Sequence, residues 1–201
     1  AGNREGTLHC LDLATGRVIW SHAAGAPLHA APVVDGDGRL FIGTGDGRAL
    51  ALSLRTGKRL WQWRTGTETA FGALCYKDLV VLVPHTAVVM AFERGSGHLD
   101  WRIPFQSRPL APPMLVGDTL LVVGYGSRDN HMTLLAADMP TGRRLGLIGV
   151  DIEPDSAPIF ANGRLLVAAR SRAVVALELA KPEVSGRGAA RRRRARAYED
   201  I

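Results

Sequence analysis

The chain has 201 residues, 46% of them hydrophobic and 23 of them glycine, which is typical of a packed, turn-rich globular protein and not of a disordered one. Its formal net charge is +6, but residues 1–180 carry 18 Lys and Arg against 16 Asp and Glu, whereas residues 181–201 carry 7 against 3. The composition therefore argues against a basic nucleic-acid platform in the folded part, and no apolar run reaches the roughly 18–20 residues that a membrane-spanning helix needs.

The beginning of the sequence already lies inside a repeating pattern. It starts Ala1-Gly2-Asn3-Arg4, with no initiator Met and no basic-then-apolar leader, and the pattern is under way at Thr7. Either a leader was removed or the chain is a fragment of a larger protein, and the pattern already under way at Thr7 favours the fragment. Residues 7–13 and 17–22 are predicted to be the last two strands of an incomplete repeat unit.

The following segments divide into short strands separated by turn residues. The second unit is the clearest, with predicted strands at 31–34, 39–43, 48–54 and 58–64. The third unit has them at 72–76, 79–83, 87–92 and 98–104, and the fourth at 111–116, 119–124, 132–138 and 143–148. The fifth has only 157–160, 164–169 and 173–179. The sequence thus predicts three complete four-stranded units between two partial ones.

One glycine position defines the repeat, at Gly16, Gly57, Gly97 and Gly142, with spacings of 41, 40 and 45 residues. Such a glycine supplies the positive φ of a tight hairpin turn. Four residues later stand Trp20, Trp61, Trp101 and, in the fourth unit, Gly146. A large indole at this place is expected to fill the gap between neighbouring sheets. Six residues before the glycine stand the small residues Cys10, Ala51, Ala91 and Ala136.

These residues carry a family resemblance. The run from Cys10 through Asp12, Thr15 and Gly16 to Trp20 resembles the tryptophan-docking motif Ala-x-Asp-x-x-Thr-Gly-Lys-x-x-Trp of quinoprotein-like (PQQ-type) propellers. Two further near-complete copies run from Ala51 and Ala91, and one without the Trp from Ala136.

The resemblance implies an all-β protein, a β-propeller built of four-stranded antiparallel blades, either an open arc or an incomplete ring. A flat β-sandwich is the structural rival, but it does not explain the fixed Gly/Trp register. The approximate blades are 1–24, 25–66, 67–106, 107–150 and 151–180, so that propeller repeats occupy 1–180. Residues 181–201 are predicted to be a disordered Arg-rich tail.

The family includes PQQ dehydrogenases, the propeller lipoprotein of the outer-membrane barrel-assembly machinery, and sensor domains of bacterial kinases. The favoured hypothesis is a non-catalytic scaffold that binds a protein partner. The alternatives are a fragment of a PQQ-dependent dehydrogenase, which would need PQQ and calcium, and a ligand-sensing domain of a receptor or kinase. The resemblance also implies a periplasmic or other extracytoplasmic location.

No catalytic, cofactor-binding or metal-binding residue is predicted. The run Asp35-Gly36-Asp37-Gly38 looks like part of a calcium loop, but its equivalents in other units are hairpin turns, and the Glu expected at position 12 is replaced by Asp46. The two cysteines, Cys10 and Cys75, form no C-x-x-C pair and are not expected to bridge. The six histidines show no ligand spacing; they are His9, His22, His29, His85, His98 and His131.

Three features are candidates for contact with a partner. Trp63 has no counterpart in the other units and is a candidate exposed side chain. The irregular turn at residues 125–131 is the first choice for a binding loop, since inserted loops on one propeller face are common binding places. The tail at 181–201, with Arg187, Arg191–Arg194 and Arg196, is a candidate for weak contact with an anionic surface.

Overall fold

A computed structural model of the chain describes residues 1–69, 71–126, 132–171 and 173–178. The regular secondary structure in these ranges is all β, and no helix there is long and apolar enough to cross a membrane. The strands are β1 (Thr7–Leu11), β2 (Val18–Ala23), β3 (Val33–Val34), β4 (Arg39–Gly43), β5 (Arg48–Ser53), β6 (Arg59–Arg64), β7 (Leu74–Tyr76), β8 (Leu79–Leu82), β9 (Val88–Glu93), β10 (Leu99–Pro104), β11 (Met114–Val116), β12 (Thr119–Tyr125), β13 (Met132–Asp138), β14 (Arg144–Val150), β15 (Ile159–Ala161), β16 (Arg164–Ala168) and β17 (Val174–Glu178).

The strands form five separate antiparallel sheets, each a meander in chain order. β3–β6, β7–β10 and β11–β14 are complete blades of four strands, which we call blades 2, 3 and 4. β1 and β2 form the two-stranded blade 1, and β15–β17 form the three-stranded blade 5. Within the described residues the two partial blades are separate sheets, so the arrangement is an open arc. The prediction of an all-β propeller with three full and two partial blades is confirmed.

The first strand of the full blades is shorter than predicted. In blade 2 the strand begins at Val33 and not at residue 31, and in blade 4 it begins at Met114 and not at residue 111. Prolines precede both strands, Pro32 in blade 2 and Pro113 in blade 4. Because proline has no N–H to donate to a strand ladder, the sheet pairing starts only after it.

The last hairpin of blades 1 to 4 repeats the same register. The small residue opposite each tryptophan position is the one that the sequence repeat marks, and each hairpin has an irregularity near this pair. The pairs are Cys10 with Trp20, Ala51 with Trp61, Ala91 with Trp101, and Ala136 with Gly146. A small side chain across the ladder leaves the indole free to lean away from its own sheet toward the next one.

The hydrophobic cores lie between successive blades. One core joins Phe41, Ala51 and Trp61 of blade 2 to Val80 and Phe92 of blade 3. Equivalent clusters lie between blades 1 and 2, between blades 3 and 4, and between blades 4 and 5. Phe41 and Phe92 are fully buried, and a phenylalanine buried in this way contributes about 1.5–3 kcal/mol. The sheets are therefore held mainly by stacking on their neighbours.

Candidate functional site

The tryptophans of blades 1, 2 and 3 each pack on the turn glycine of the following blade. A Cβ placed on any of these glycines would lie 2.5–2.6 Å from an indole carbon, closer than real Cβ contacts allow. The glycines also have φ between 66° and 69° or, at Gly97, 75°. The pairs are Trp20 with Gly57, Trp61 with Gly97, and Trp101 with Gly142. In the structure, these tryptophans therefore pack between successive blades.

Two of the three indoles also donate a hydrogen bond to the following blade. Trp20 Nε1 donates to the carbonyl oxygen of Leu54 at 2.8 Å, and Trp61 Nε1 donates to that of Arg94 at 2.9 Å. Trp101 Nε1 is buried and has no partner among the described residues. All three indoles therefore pack on the following blade, but only those of Trp20 and Trp61 also donate a hydrogen bond to it among the described residues.

An ion pair links blade 2 to blade 3 beside the Trp61 contact. Arg94 Nη1 donates to Asp35 Oδ2 at 2.9 Å, and Arg39 Nη1 reaches the same oxygen at 3.3 Å. Asp35 Oδ1 accepts the backbone N–H groups of Asp37 and Arg39 at 3.0 and 2.9 Å. The run that looks like a calcium loop is thus a hairpin turn whose first carboxylate is already engaged by arginine and by backbone amides.

This setting perturbs two titratable groups. Burial raises the pKa of Asp35, but hydrogen bonds from Arg39 and Asp37 and the charge of Arg94 outweigh it, so that the pKa lies below its ordinary value. Burial raises the pKa of the nearby Cys75 thiol, and the negative charge of Asp35 raises it further. Cys75 and Cys10 are both free, as the sequence predicts.

A second set of residues lies where the inter-blade connections meet the loops between the second and third strands of each blade. We call this surface the connection face. One backbone hydrogen bond repeats there in blades 2 to 5, from the loop amide to a carbonyl in the preceding connection. The donors and acceptors are Gly45 to Pro27 (2.8 Å), His85 to Glu68 (2.9 Å), Tyr125 to Arg108 (2.9 Å) and Arg170 to Glu153 (3.0 Å).

This bond holds each connection against the loop of its own blade. The side chains of neighbouring blades at these places therefore lie close to one another. A cleft of about 430 Å³ lies on the connection face between blades 2, 3 and 4. Its polar lining consists of His29 from blade 2, Glu68 and His85 from blade 3, and Arg108 and Tyr125 from blade 4.

The polar groups of the cleft are mostly available to a ligand. His29 Nε2 lies 4.0 Å from Glu68 Oε1. Within the part of the chain that the structure describes, the Arg108 guanidinium, the His85 ring and the Tyr125 hydroxyl have no hydrogen bond or ion pair. The remaining lining is apolar and consists of Phe71, Pro109 and Leu110. The cleft therefore combines hydrogen-bond donors with an apolar wall.

The structure places the sequence candidates as follows. Tyr125, the first residue of the predicted binding loop, lines the cleft, whereas residues 127–131 lie outside the described residues. Trp63 is 38% exposed, but one side of its ring packs on Phe92 with centroids 5.8 Å apart. The Arg-rich tail at 181–201 also lies outside the described residues.

Sequence reasoning missed the two histidines of the cleft. His29 and His85 are 56 positions apart and occupy different places in their repeats, so no spacing rule connects them. The folded arrangement of connection and loop, which includes the hydrogen bonds from Gly45 to Pro27 and from His85 to Glu68, brings both onto one surface. A possible signal was the alignment of the connections themselves, where Pro27, Glu68, Arg108 and Glu153 are equivalent and three of the four are charged.

Comparison of the sequence with known proteins finds relatives in two groups, outer membrane assembly factors and quinoprotein dehydrogenases. The sequence model of a family described as "Outer membrane protein assembly factor BamB" matches residues 1–82. The BamB of Xanthomonas campestris pv. campestris is 28% identical over 90% of this chain and 46% of its own length. The quinoprotein alcohol dehydrogenase PedE of Pseudomonas putida is 40% identical over 62 residues, which are 31% of this chain and 10% of that enzyme.

The fold comparison shows the same kind of architecture. The crystal structure of BamB from Moraxella catarrhalis superimposes with a TM-score of 0.60 and 18% identity, covering 89% of this chain and 69% of that one. Sequence and fold comparisons together support a PQQ-type β-propeller family for this chain. The chain spans about half the length of the curated BamB from Xanthomonas that it matches.

The arrangement of metal-ligating side chains shows whether the described residues could hold a metal ion. Within residues 1–69, 71–126, 132–171 and 173–178, no three His, Cys, Asp or Glu side chains are grouped so as to hold a metal ion. The carboxylates of the run that looks like a calcium loop, Asp35 and Asp37, are paired with Arg94 and Arg39. Asp35 and Asp37 are therefore engaged by arginines, and the cleft on the connection face is the candidate binding site.

Proposed function

We propose that this chain is a non-catalytic β-propeller scaffold that binds a protein partner outside the cytoplasm during outer-membrane protein assembly. The observation that carries the proposal is the extent of similarity. The relatives similar over 90%, 72% and 71% of the chain are outer membrane protein assembly factors from three organisms. PedE, in contrast, is similar over 31%.

The use of residues supports the same proposal. The repeated glycines and tryptophans are occupied in holding blades together, and Asp35 and Arg94 are occupied by each other. What remains accessible is a cleft with unpaired donors and scattered exposed side chains such as Trp63. Unpaired donors and exposed side chains are suited to binding another protein. Function is argued from such a site and not from the fold alone.

The proposal is tested by deleting the gene in its own host and measuring the amounts of folded outer-membrane β-barrel proteins. We expect these amounts to fall, and to recover when the gene is returned. A photo-crosslinking amino acid at Trp63 or Tyr125 should yield adducts with components of the outer-membrane assembly machinery, whereas the same amino acid at the fully exposed Leu13 serves as a position control. Unchanged barrel proteins in the deletion strain would contradict the proposal.

The 62-residue similarity to PedE favours a second candidate, part of a quinone-dependent dehydrogenase. Titration of the purified protein with PQQ and Ca²⁺, followed by a dye-linked alcohol oxidation assay, separates the two. The scaffold proposal predicts neither stoichiometric quinone binding nor oxidation. Stoichiometric binding accompanied by alcohol-dependent dye reduction would establish the second candidate instead.

A further inference from the structure

The cleft on the connection face has more donors than acceptors. Arg108 offers a permanent cation, and Tyr125 offers a hydroxyl, neither of them paired within the described residues. Glu68 is the carboxylate of the lining, and His29 lies 4.0 Å from it. At the Arg108 end of the cleft, away from the His29–Glu68 pair, a ligand with a negatively charged acceptor complements the cation, since charge-assisted hydrogen bonds to arginine are the strong ones.

The shape and the apolar wall restrict the ligand further. Pro109 and Leu110 are largely buried but line the cleft next to the exposed Arg108, so the small apolar part of the lining adjoins the cation. Phe71 adds an aromatic ring on the side of blade 3. A small inorganic anion would satisfy the arginine and leave the apolar wall uncovered. A peptide with a carboxylate next to an apolar side chain would satisfy both.

We infer that this cleft binds a carboxylate of an extended peptide segment, with Arg108 as the anchoring cation and Tyr125 and His85 as further donors. The carboxylate comes either from an acidic side chain or from a C-terminus, and in both cases an apolar neighbour packs on Leu110 and Phe71. The inference rests on the proposed scaffold function and makes it specific, because it states which part of a protein partner enters the propeller.

Histidine resonances give a direct measurement. Three acetylated pentapeptides are titrated into the purified chain. The first is acetyl-Gly-Leu-Asp-Leu-Gly-amide, the second has Asn in place of Asp, and the third is the Asn peptide with a free C-terminal carboxylate. The imidazole C–H signals of His29 and His85 are followed by NMR. His9, His22 and His98, which do not line the cleft, are internal controls.

The Asp peptide or the free-carboxylate peptide is expected to shift the His29 and His85 signals saturably at concentrations on the order of millimolar, while the other three histidines stay unchanged. Which of the two binds identifies the source of the carboxylate. Equal shifts with the uncharged Asn amide, or no shifts with any peptide, would overturn the inference.

Two variants assign the binding to the named side chains. Arg108→Gln is expected to weaken binding about tenfold or more, and Tyr125→Phe by about two- to tenfold. Arg102→Gln, an exposed arginine on β10 outside the cleft, is the matched control and should bind as the wild type does. Each variant is checked for an unchanged thermal melt. Wild-type affinity in Arg108→Gln would overturn the assignment.

Failure of this inference is distinguishable from failure of the proposed function. If the deletion strain loses barrel proteins and Arg108→Gln complements it fully with wild-type peptide affinity, the scaffold stands and the cleft inference falls. If the peptides bind through Arg108 but barrel proteins are unaffected by deletion, the cleft stands and the proposed role in assembly falls.

Discussion

Arg94 in blade 3 lies 2.9 Å from Asp35 in blade 2, and the side chain of Asp35 is only 1% exposed. The two residues are 59 positions apart and belong to different sheets. Arg94 also lies 3.4 Å from Asp37 and 3.8 Å from Asp78, while its own backbone oxygen accepts the Trp61 indole. At the boundary between blades 2 and 3, the Arg94 guanidinium therefore pairs with Asp35 while the Arg94 backbone oxygen accepts the hydrogen bond of Trp61.

Removal of Arg94 should destabilise the protein more than removal of an exposed arginine. Arg94→Ala removes one of the two arginines that pair with the buried Asp35, while Arg39 remains, and is expected to cost roughly 1.5–3 kcal/mol in the free energy of unfolding. Arg102→Ala should stay within about 0.5 kcal/mol of the wild type. Urea denaturation measures both. If the two variants lose equal stability, the ion pair does not stabilise the boundary.

The same pair predicts how stability depends on pH. The pKa of Asp35 is lower in the folded state than in the unfolded chain, so its stabilisation is fully present above the unfolded value of about 3.9 and is lost as the pH falls through the folded pKa. Asp35→Asn should therefore be less stable than the wild type at neutral pH and lose less stability on acidification. Asp100→Asn, exposed on β10, should keep the wild-type profile. Urea midpoints from pH 7 down to pH 3 provide the comparison; parallel curves for Asp35→Asn and wild type would refute it.

Two turn glycines separate backbone strain from steric contact. Gly16 and Gly57 both have φ of 69°, but a Cβ at Gly16 would meet nothing within 4 Å, whereas a Cβ at Gly57 would lie 2.5 Å from Trp20. Gly16→Ala should cost about 1–2 kcal/mol from the left-handed backbone alone. Gly57→Ala should cost about 1–3 kcal/mol more, because the indole has to move. Equal losses in chemical denaturation would show that the tryptophan contact is easily relaxed.

The tryptophans offer a graded series. Trp61→Phe removes both ring area and the hydrogen bond to the Arg94 carbonyl, whereas Trp101→Phe removes ring area and a buried N–H that has no partner among the described residues. We expect Trp61→Phe to be more destabilising than Trp101→Phe by about 0.5–1.5 kcal/mol or more. Thermal unfolding of the two variants tests the order, and Trp20→Phe should resemble Trp61→Phe. A greater loss for Trp101→Phe would contradict the interpretation.

Local chemistry was sufficient to predict the blades. Positive φ at Gly16 and Gly57 and a small residue opposite Trp61 are properties of single hairpins, and hairpins repeat in the sequence. The strands β4 and β13 were predicted with the observed bounds. The first strands of blades 2 and 4 were predicted too long because the apolar segments before them resemble strands, although prolines delay the pairing.

The contacts between blades were only partly predictable. The tryptophans reveal themselves by their fixed register, but the pairing of Asp35 with Arg94 depends on a turn in one blade facing a turn in the next. Likewise, the cleft forms from His29 and Arg108 in two connections and His85 in a loop between strands, and these segments share no motif. The periodic pattern predicts the structure that all repeats share. The ion pair and the cleft depend on residues that differ from one repeat to the next, so the pattern does not predict them.

Each tryptophan leans onto the blade that follows it and never onto the one before. Such a head-to-tail contact is heterologous: the surface that gives the indole differs from the surface that receives it, so the contact has a direction. Units joined in this way can be multiplied by gene duplication without redesign of any existing boundary, since every new copy brings one donor and one acceptor surface. The curvature per unit, and not a dedicated closing segment, then sets how many copies complete a ring.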